Sequence, residues 1–238
     1  MKEPLQRWQN PTVYTYQQTI RQKIIGYDLI YDLMTNMLHN HPCTDRMLIV
    51  GAGGGQELLT LGRTFPATKF TAVDTSSPML QLAEQQIGQL HVPLDVEWHA
   101  TDLRSLKMDE PFDIATCHLV LHFIEDLHVK KALLKKIADS LKDGAVLFVS
   151  SINADLTALT FKHQLRHWQS SMLQNGISQN DWQRFEQSFG MTTHPIKFET
   201  LVDLLQEVGF TTVIPYFKSH MIDALIATKE EAKEVFKC

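Results

Sequence analysis

Apolar residues recur along the chain in two different periods, and the alternation between them sketches the fold. From Tyr27 to Leu38, the residues Tyr27, Ile30, Tyr31, Met34 and Leu38 fall at helical spacing and share one face. His39 to Asp45, with Pro42, reads as a linker. Met47 to Val50 is an unbroken apolar run, the mark of a strand buried on both faces, and it passes directly into Gly51-Ala52-Gly53-Gly54-Gly55. A helix follows from Gln56 to about Arg63. Lys69 to Val73 is a second strand that closes at Asp74. Ser77 is placed to cap the next helix, with Pro78 at its first position, and Met79, Leu82, Ala83 and Ile87 keep its period. Leu94 to His99 is a third strand, followed by Thr101-Asp102, and Phe112 to Cys117 is a fourth. Asp126 to Leu141 is a helix closed by Gly144, and Ala145 to Ser150 is a fifth strand.

Strand and helix in alternation predict an α/β fold with a doubly wound, mostly parallel sheet. Residues 153–195 break the rhythm with polar helical segments. Thr200 to Val208 resumes it as a helix ending at Gly209. Thr211 to Phe217 and Met221 to Thr228 then complete seven strands as a C-terminal antiparallel hairpin. The expected organisation is one domain over 1–238. A helical cap occupies about 1–40, where Trp8, Tyr14 and Tyr16 stand out, and a helical lid insertion occupies about 153–195.

Composition narrows the function classes. With 238 residues and 44% apolar content there is enough material for one sizeable core. The net charge of −5 lacks the basic surplus that gripping nucleic-acid phosphates calls for. Cys43, Cys117 and Cys238 are odd in number and too scattered for a disulfide framework or a zinc site, which suits a reducing compartment. Met1 to Pro11 has no signal-peptide core, and no apolar run reaches the ~18–20 residues of a membrane span. The expectation is a soluble cytoplasmic protein without membrane or nucleic-acid partners, its oligomeric state open.

The chemistry gathers where strands hand over to helices. Gly51-x-Gly53-x-Gly55 at the end of the first strand allows a ligand to approach the backbone closely. A dinucleotide fingerprint requires a third glycine at position 56, and Gln56 stands there instead. The G-x-G-x-G form is the one used for S-adenosylmethionine (SAM). Asp74 can accept from both ribose hydroxyls of an adenosine, or merely cap the coming helix. Asp102 can accept from an adenine amino group beside the Leu103 N–H, or be a solvated loop acid. His118 and His122, after the fourth strand, are candidate bases because histidine titrates near neutrality. Their i, i+4 spacing also suits a metal, but no third ligand is evident and none is assigned. His163, His167 and Trp168 in the insertion can face a flat acceptor or pack on the outside of a helix.

Taken in order, Gly51 to Gly55, Asp74, Ser77-Pro78-Met79-Leu80, Thr101-Asp102-Leu103 and Leu141-Lys142-Asp143-Gly144 resemble the successive motifs of class I SAM-dependent methyltransferases. Gly209-Phe210 before a terminal hairpin is similar to the end of that Rossmann-like fold. Within the superfamily, Ile25-Gly26-Tyr27 and His118 to Glu125 resemble the carboxy-SAM synthases, which act in tRNA wobble-uridine modification. The resemblance implies SAM as cofactor and S-adenosylhomocysteine (SAH) as product. It implies cofactor contacts at Tyr27, Gly51, Ala52, Gly53, Gly55, Asp74, Thr75, Met79, Asp102, Leu103, Cys117 and His118. Three positions depart from these patterns. Ile49 replaces the acid usual two residues before the first glycine, so Glu57 or a water would serve the cofactor's amino-acid end. His118 stands where the synthases usually carry asparagine. Leu204 stands about where the synthases place an arginine for the extra carboxylate. The favoured reading is methyl transfer to a small-molecule acceptor. A carboxy-SAM synthase-like or tRNA-linked enzyme, and a non-catalytic SAM-binding protein, are the alternatives.

Overall fold

Residues 16–91 and 93–230 are described by the computed structural model. Trp8, Tyr14 and Cys238 lie outside them. Two helices, α1 (Tyr16–Lys23) and α2 (Tyr27–Leu38), precede the first strand. Then come β1 (Arg46–Val50), α3 (Gln56–Thr64), β2 (Lys69–Asp74), α4 (Ser77–Ile87), β3 (Asp95–Ala100), β4 (Phe112–His118), α5 (Leu127–Ser140) and β5 (Leu141–Ile152). The insertion forms α6 (Leu159–Gln174) and α7 (Gln179–Ser188), and α8 (Phe198–Glu207), β6 (Phe210–Ser219) and β7 (Ile222–Lys229) finish the described chain. No helix among the described residues is long and apolar enough to cross a membrane.

The seven strands form one sheet in the order β3-β2-β1-β4-β5-β7-β6. The first five are parallel, and β7 runs antiparallel between β5 and β6. The chain reverses direction across the sheet between β1 and β4, which leaves a crevice at the carboxyl ends of those two strands.

Alternate residues of one strand point to opposite faces, and here both faces are buried. Met47 and Ile49 of β1 join a core cluster with Ile30 and Met34 of α2 and Leu58 of α3. Leu48 and Val50 join the opposite cluster with Leu134 and Ile137 of α5 and Leu201 and Leu205 of α8. An unbroken apolar strand is the sequence form of this two-sided burial.

The structure corrects two local readings. The cap of α4 is Ser76, whose side chain accepts from the Met79 N–H, not Ser77. Gly144 does not close a helix. Chain 141–152 is continuous strand, and Gly144, at φ +74°, lies where the pairing slips between Phe112 and Ile114 of β4.

The glycines of the first turn divide their work. A Cβ on Gly51 would meet Val120 Cγ2 at 2.2 Å, so the turn after β4 seats directly on it. Gly55, at φ +84°, would set a Cβ 2.9 Å from the Ala83 Cβ, so it lets α4 close on the N-terminus of α3. Gly55→Ala therefore combines a left-handed backbone, costing about 1–2 kcal/mol, with a clash against α4. Urea unfolding is expected to show a stability loss of at least that size with an unchanged denaturant slope.

Candidate functional site: two adjoining cavities at the mouth of the sheet

A cavity of about 620 Å³ opens at the carboxyl ends of β1, β2 and β4. Its wall contains Gly51, Gly53, Asp74, Thr75, Met79, Asp102, Leu103 and His118, eight of the residues expected to contact a cofactor. Asp74 ties this end of the sheet together. Its Oδ2 accepts from the Gly53 N–H at 2.9 Å and its Oδ1 from the Ser76 N–H at 2.8 Å. Burial raises its pKa above the ordinary carboxylate value, while those two amides pull it back down. The Gly51 and Ala52 amides both donate to the Val73 carbonyl, at 2.8 and 3.1 Å. Three amides of the glycine turn are thus already engaged, which leaves it a poor cradle for a pyrophosphate.

Asp102 is also engaged. Its carboxylate caps the turn 103–105 through the Arg104 N–H and is forked by the Arg104 guanidinium, with one N···O distance of 2.5 Å. That contact holds its pKa below the usual range.

Tyr27, Ala52, Gly55 and Cys117, expected at the cofactor, are absent from this wall. Tyr27 is buried on the α2 face, where its phenol accepts from the Tyr31 hydroxyl at 3.2 Å. Ala52 is buried in the same cluster. Cys117 points the opposite way, into the α5–α8 face, and burial pushes its thiol up to about 12. A reading of β4 that ignores the alternation of side chains places Cys117 and His118 together, but the strand separates them.

A second cavity, about 950 Å³, adjoins the first. Tyr16, Leu119, Phe123 and Thr192 belong to both walls. Its remaining lining includes residues of α1 (Ile20, Lys23), the insertion (Trp168, Asp181, Arg184, Phe185, Ser188), the turn after β4 (His122) and the strand ends of β5 and β7 (Ile152, Ile222). His163 and His167 are exposed and line neither cavity.

The two histidines proposed as bases are held otherwise. The ring of His118 packs edge-on against Tyr31, with Nδ1 3.0 Å from Ser150 Oγ and Nε2 3.4 Å from the Met34 sulfur. Burial lowers its pKa to about 3, so it stays neutral. His122 accepts the Ile152 N–H at Nδ1 (3.3 Å), so its neutral ring carries the proton on Nε2 and is a donor there. His118 lines the first cavity and His122 the second, and their side chains leave a strand end and a 3₁₀ turn, not one helix face.

Residues 48–147 match the methyltransferase-domain family. A carboxy-S-adenosyl-L-methionine synthase of Hydrogenovibrio crunogenus is 23% identical over 94% of this chain and 89% of its own. A trans-aconitate 2-methyltransferase of Pseudomonas aeruginosa is 29% identical over 59% of this chain and 45% of its own. Magnesium protoporphyrin IX methyltransferase from Synechocystis, solved with bound SAH, superposes with a TM-score of 0.68 at 15% identity, covering 95% of this chain and 98% of that one. Residues 48–147 carry a methyltransferase domain, and the chain as a whole is similar to class I SAM-dependent methyltransferases. Its cofactor is SAM, and the residues present fit that cofactor. The first cavity falls within the ~300–1,000 Å³ of small-molecule sites. Gly53 borders it without a side chain, and the acid that closes β2 reaches into it.

Glu57 takes an unexpected place in the methyltransferase. A first-turn acid normally faces solvent, yet this one is 4% exposed beneath the glycine turn. Desolvation raises its pKa to about 8, with a backbone hydrogen bond opposing the rise and the nearby Asp74 charge adding to it. The acid at position 49 is lacking, and this carboxyl is a buried acid in the same neighbourhood. Between pH 4.5 and 8 the folded state holds a proton on Glu57 that the unfolded state has released, so this group lowers stability as pH rises through that window. Its contribution reaches at most ~1.4 kcal/mol per pH unit. Urea titrations of Glu57→Gln and wild type at several pH values are expected to show that component of the slope missing in the variant.

Proposed function

We propose that the methyltransferase methylates a small molecule held in the second cavity, with SAM held in the first. The observation that carries this reading is that the two cavities adjoin across Leu119 and Phe123 at the mouth of the sheet. SAM, when bound, supplies a methyl group already activated by its positive sulfur. The chain therefore has to hold, align and dehydrate, and alignment alone is worth ~7–11 kcal/mol in ideal cases.

Asp74 is assigned to the ribose hydroxyls. Each carboxylate oxygen bonds one backbone amide and keeps lone pairs that face the cavity wall. Asp102 and the Leu103 N–H are assigned to the adenine, with Arg104 holding the carboxylate in place. Gly53, Thr75 and Met79 complete the first wall. On the acceptor side, Trp168, Phe185 and Ile222 offer apolar surface, and Lys23 and Arg184 lie beside Asp181 among the polar groups. The insertion 153–195 serves as the lid over this cavity, and α1 closes it from the N-terminal side. Neither histidine serves as a base here: both ring nitrogens of His118 are engaged and burial keeps it neutral, and His122 aligns as a donor. This combination favours an acceptor that is nucleophilic without deprotonation by the protein. The Pseudomonas relative is named for trans-aconitate, a small acid, which supports a small acceptor.

Likeness along nearly the whole chain favours a second reading, a carboxy-SAM synthase. Against it, Leu204 stands where that resemblance calls for an arginine, and it is buried with Leu201 and Leu205 under α5.

Calorimetry with SAM and SAH tests the first cavity. Asp74→Ala is expected to weaken both by about 10- to 100-fold, the range for hydrogen bonds to a charged group. Unchanged affinity in that variant removes the ribose assignment. Labelled SAM with a metabolite extract tests the second cavity. Ile20→Trp, which fills that cavity, is expected to abolish label transfer while SAH affinity holds within about twofold. Mass spectrometry of cofactor carried through purification separates SAM from carboxy-SAM.

A further inference from the structure

The ammonium of Lys130 occupies a place that its sequence context conceals. Lys130 belongs to α5, among Lys131, Lys135 and Lys136, yet it is 1% exposed. Its Nζ donates to three backbone carbonyls: Leu121 at 2.7 Å, Ile124, and His194 at 2.9 Å. Leu121 and Ile124 flank the turn after β4, and His194 lies at the end of the lid segment. A fourth bond runs parallel to these, from the His194 N–H to the His122 carbonyl at 2.7 Å.

Residues beside these contacts form the site. Leu119, Val120, Phe123, Ile124 and Glu125 line the first cavity, Thr192 lines both, and Val120 rests on Gly51. Among the described residues no carboxylate pairs with the ammonium. Asp126 caps α5, Glu125 and His128 are exposed, and Glu207 of α8 pairs with Lys131. Asp102 pairs with Arg104, Asp113 with Lys142, and Asp143 with Lys229. His122 reaches Ile152 through its ring, and His194 meets Lys130 through its carbonyl.

We propose that Lys130 is a positioning residue for methyl transfer, its buried ammonium stapling the turn after β4 to the end of the lid and so fixing the wall between the two cavities. The inference rests on the reading that the first cavity holds the cofactor. An ammonium has three N–H donors for three carbonyls, and a neutral amine has two. The staple is therefore complete while the amine is charged and one bond short once it is neutral. Desolvation lowers the Lys130 pKa from 10.5 to about 8, which brings this change within reach of ordinary buffers.

The test is the SAH dissociation constant measured by calorimetry from pH 6.5 to 9.5. Wild type is expected to bind about tenfold more weakly above a midpoint near pH 8, the worth of one charge-assisted bond. Lys130→Arg, which keeps its charge across the range, is expected to lack that tenfold step and to keep only the shallow dependence that Glu57 and the cofactor's amine give all variants. Lys130→Met is expected to bind weakly at pH 7 and to lack the wild-type transition. The cofactor's own amine and Glu57 titrate alike in all three, so the comparison isolates Lys130. A flat wild-type profile, or a Lys130→Met profile that follows wild type, overturns the proposal. If Lys130→Met does not fold, wild type against Lys130→Arg decides. Absence of SAH binding to wild type at pH 7 would instead remove the cofactor placement and the staple's role with it.

Discussion

The mouth of the sheet depends on a single carboxylate. Two parallel strands that end side by side leave backbone amides with no ladder partner, and a glycine turn has no side chains to order it. Asp74 answers both needs, because one oxygen fixes the Gly53 amide and the other fixes Ser76 at the start of α4. Hydrogen bonds to a charged acceptor are worth about 1.5–3 kcal/mol each, and these two join β2, the glycine turn and α4 in one rigid corner. The first cavity is thus preorganised by the same group that is proposed to bind the sugar. Any ligand hydroxyl that adds to Asp74 finds it already oriented by two backbone amides, so little ordering remains to be done on binding.

The neighbouring corner uses the opposite charge. The turn after β4 presents carbonyls, not amides, and the cation Lys130 gathers three of them. The two corners meet where Val120 packs on Gly51, and the absence of a Cβ there lets them touch. An anion bound to amides on one side and a cation bound to carbonyls on the other are both satisfied by backbone. Neither needs the other as a counter-ion, and the space between them is left for a ligand. Direct pairing of two such groups would have closed the crevice and lost the site.

The strands were legible in the sequence because burial on both faces leaves a short run dominated by apolar residues, unbroken in Met47 to Val50 and interrupted only by Asp113 and Thr116 in Phe112 to Cys117. Asp74 was legible because an acid that closes a buried run must sit at the strand mouth, and Asp102 because it stands two residues past the end of β3. The errors are equally physical. Adjacent serines at 76 and 77 offer the same cap chemistry, and only backbone geometry selects Ser76. Gly144 serves a helix end or a strand bulge equally well, since both call for positive φ. Glu57 and Lys130 were illegible as buried groups. A first-turn acid and a lysine among lysines are ordinary solvated residues until tertiary packing covers them. The second cavity was only partly legible, because its walls come from α1, the insertion, the turn after β4 and the ends of β5 and β7, which are distant in the chain.

His118 shows what a strand does to a chemical motif. Read as a string, Cys117, His118 and His122 are near neighbours and suggest a cluster of reactive groups. The pleat sends Cys117 to the α5 face and His118 to the α2 face, where Tyr31 and Met34 enclose the ring. Four residues later the chain has left the sheet, and His122 faces a different cavity. An imidazole with both nitrogens engaged and its pKa lowered to about 3 by burial takes up no proton at neutral pH, so its contribution is to shape the wall. With that histidine removed from proton transfer, the activated methyl becomes the main source of reactivity. What the folded chain adds is the fixed relation between two cavities, set by backbone held on two buried charges.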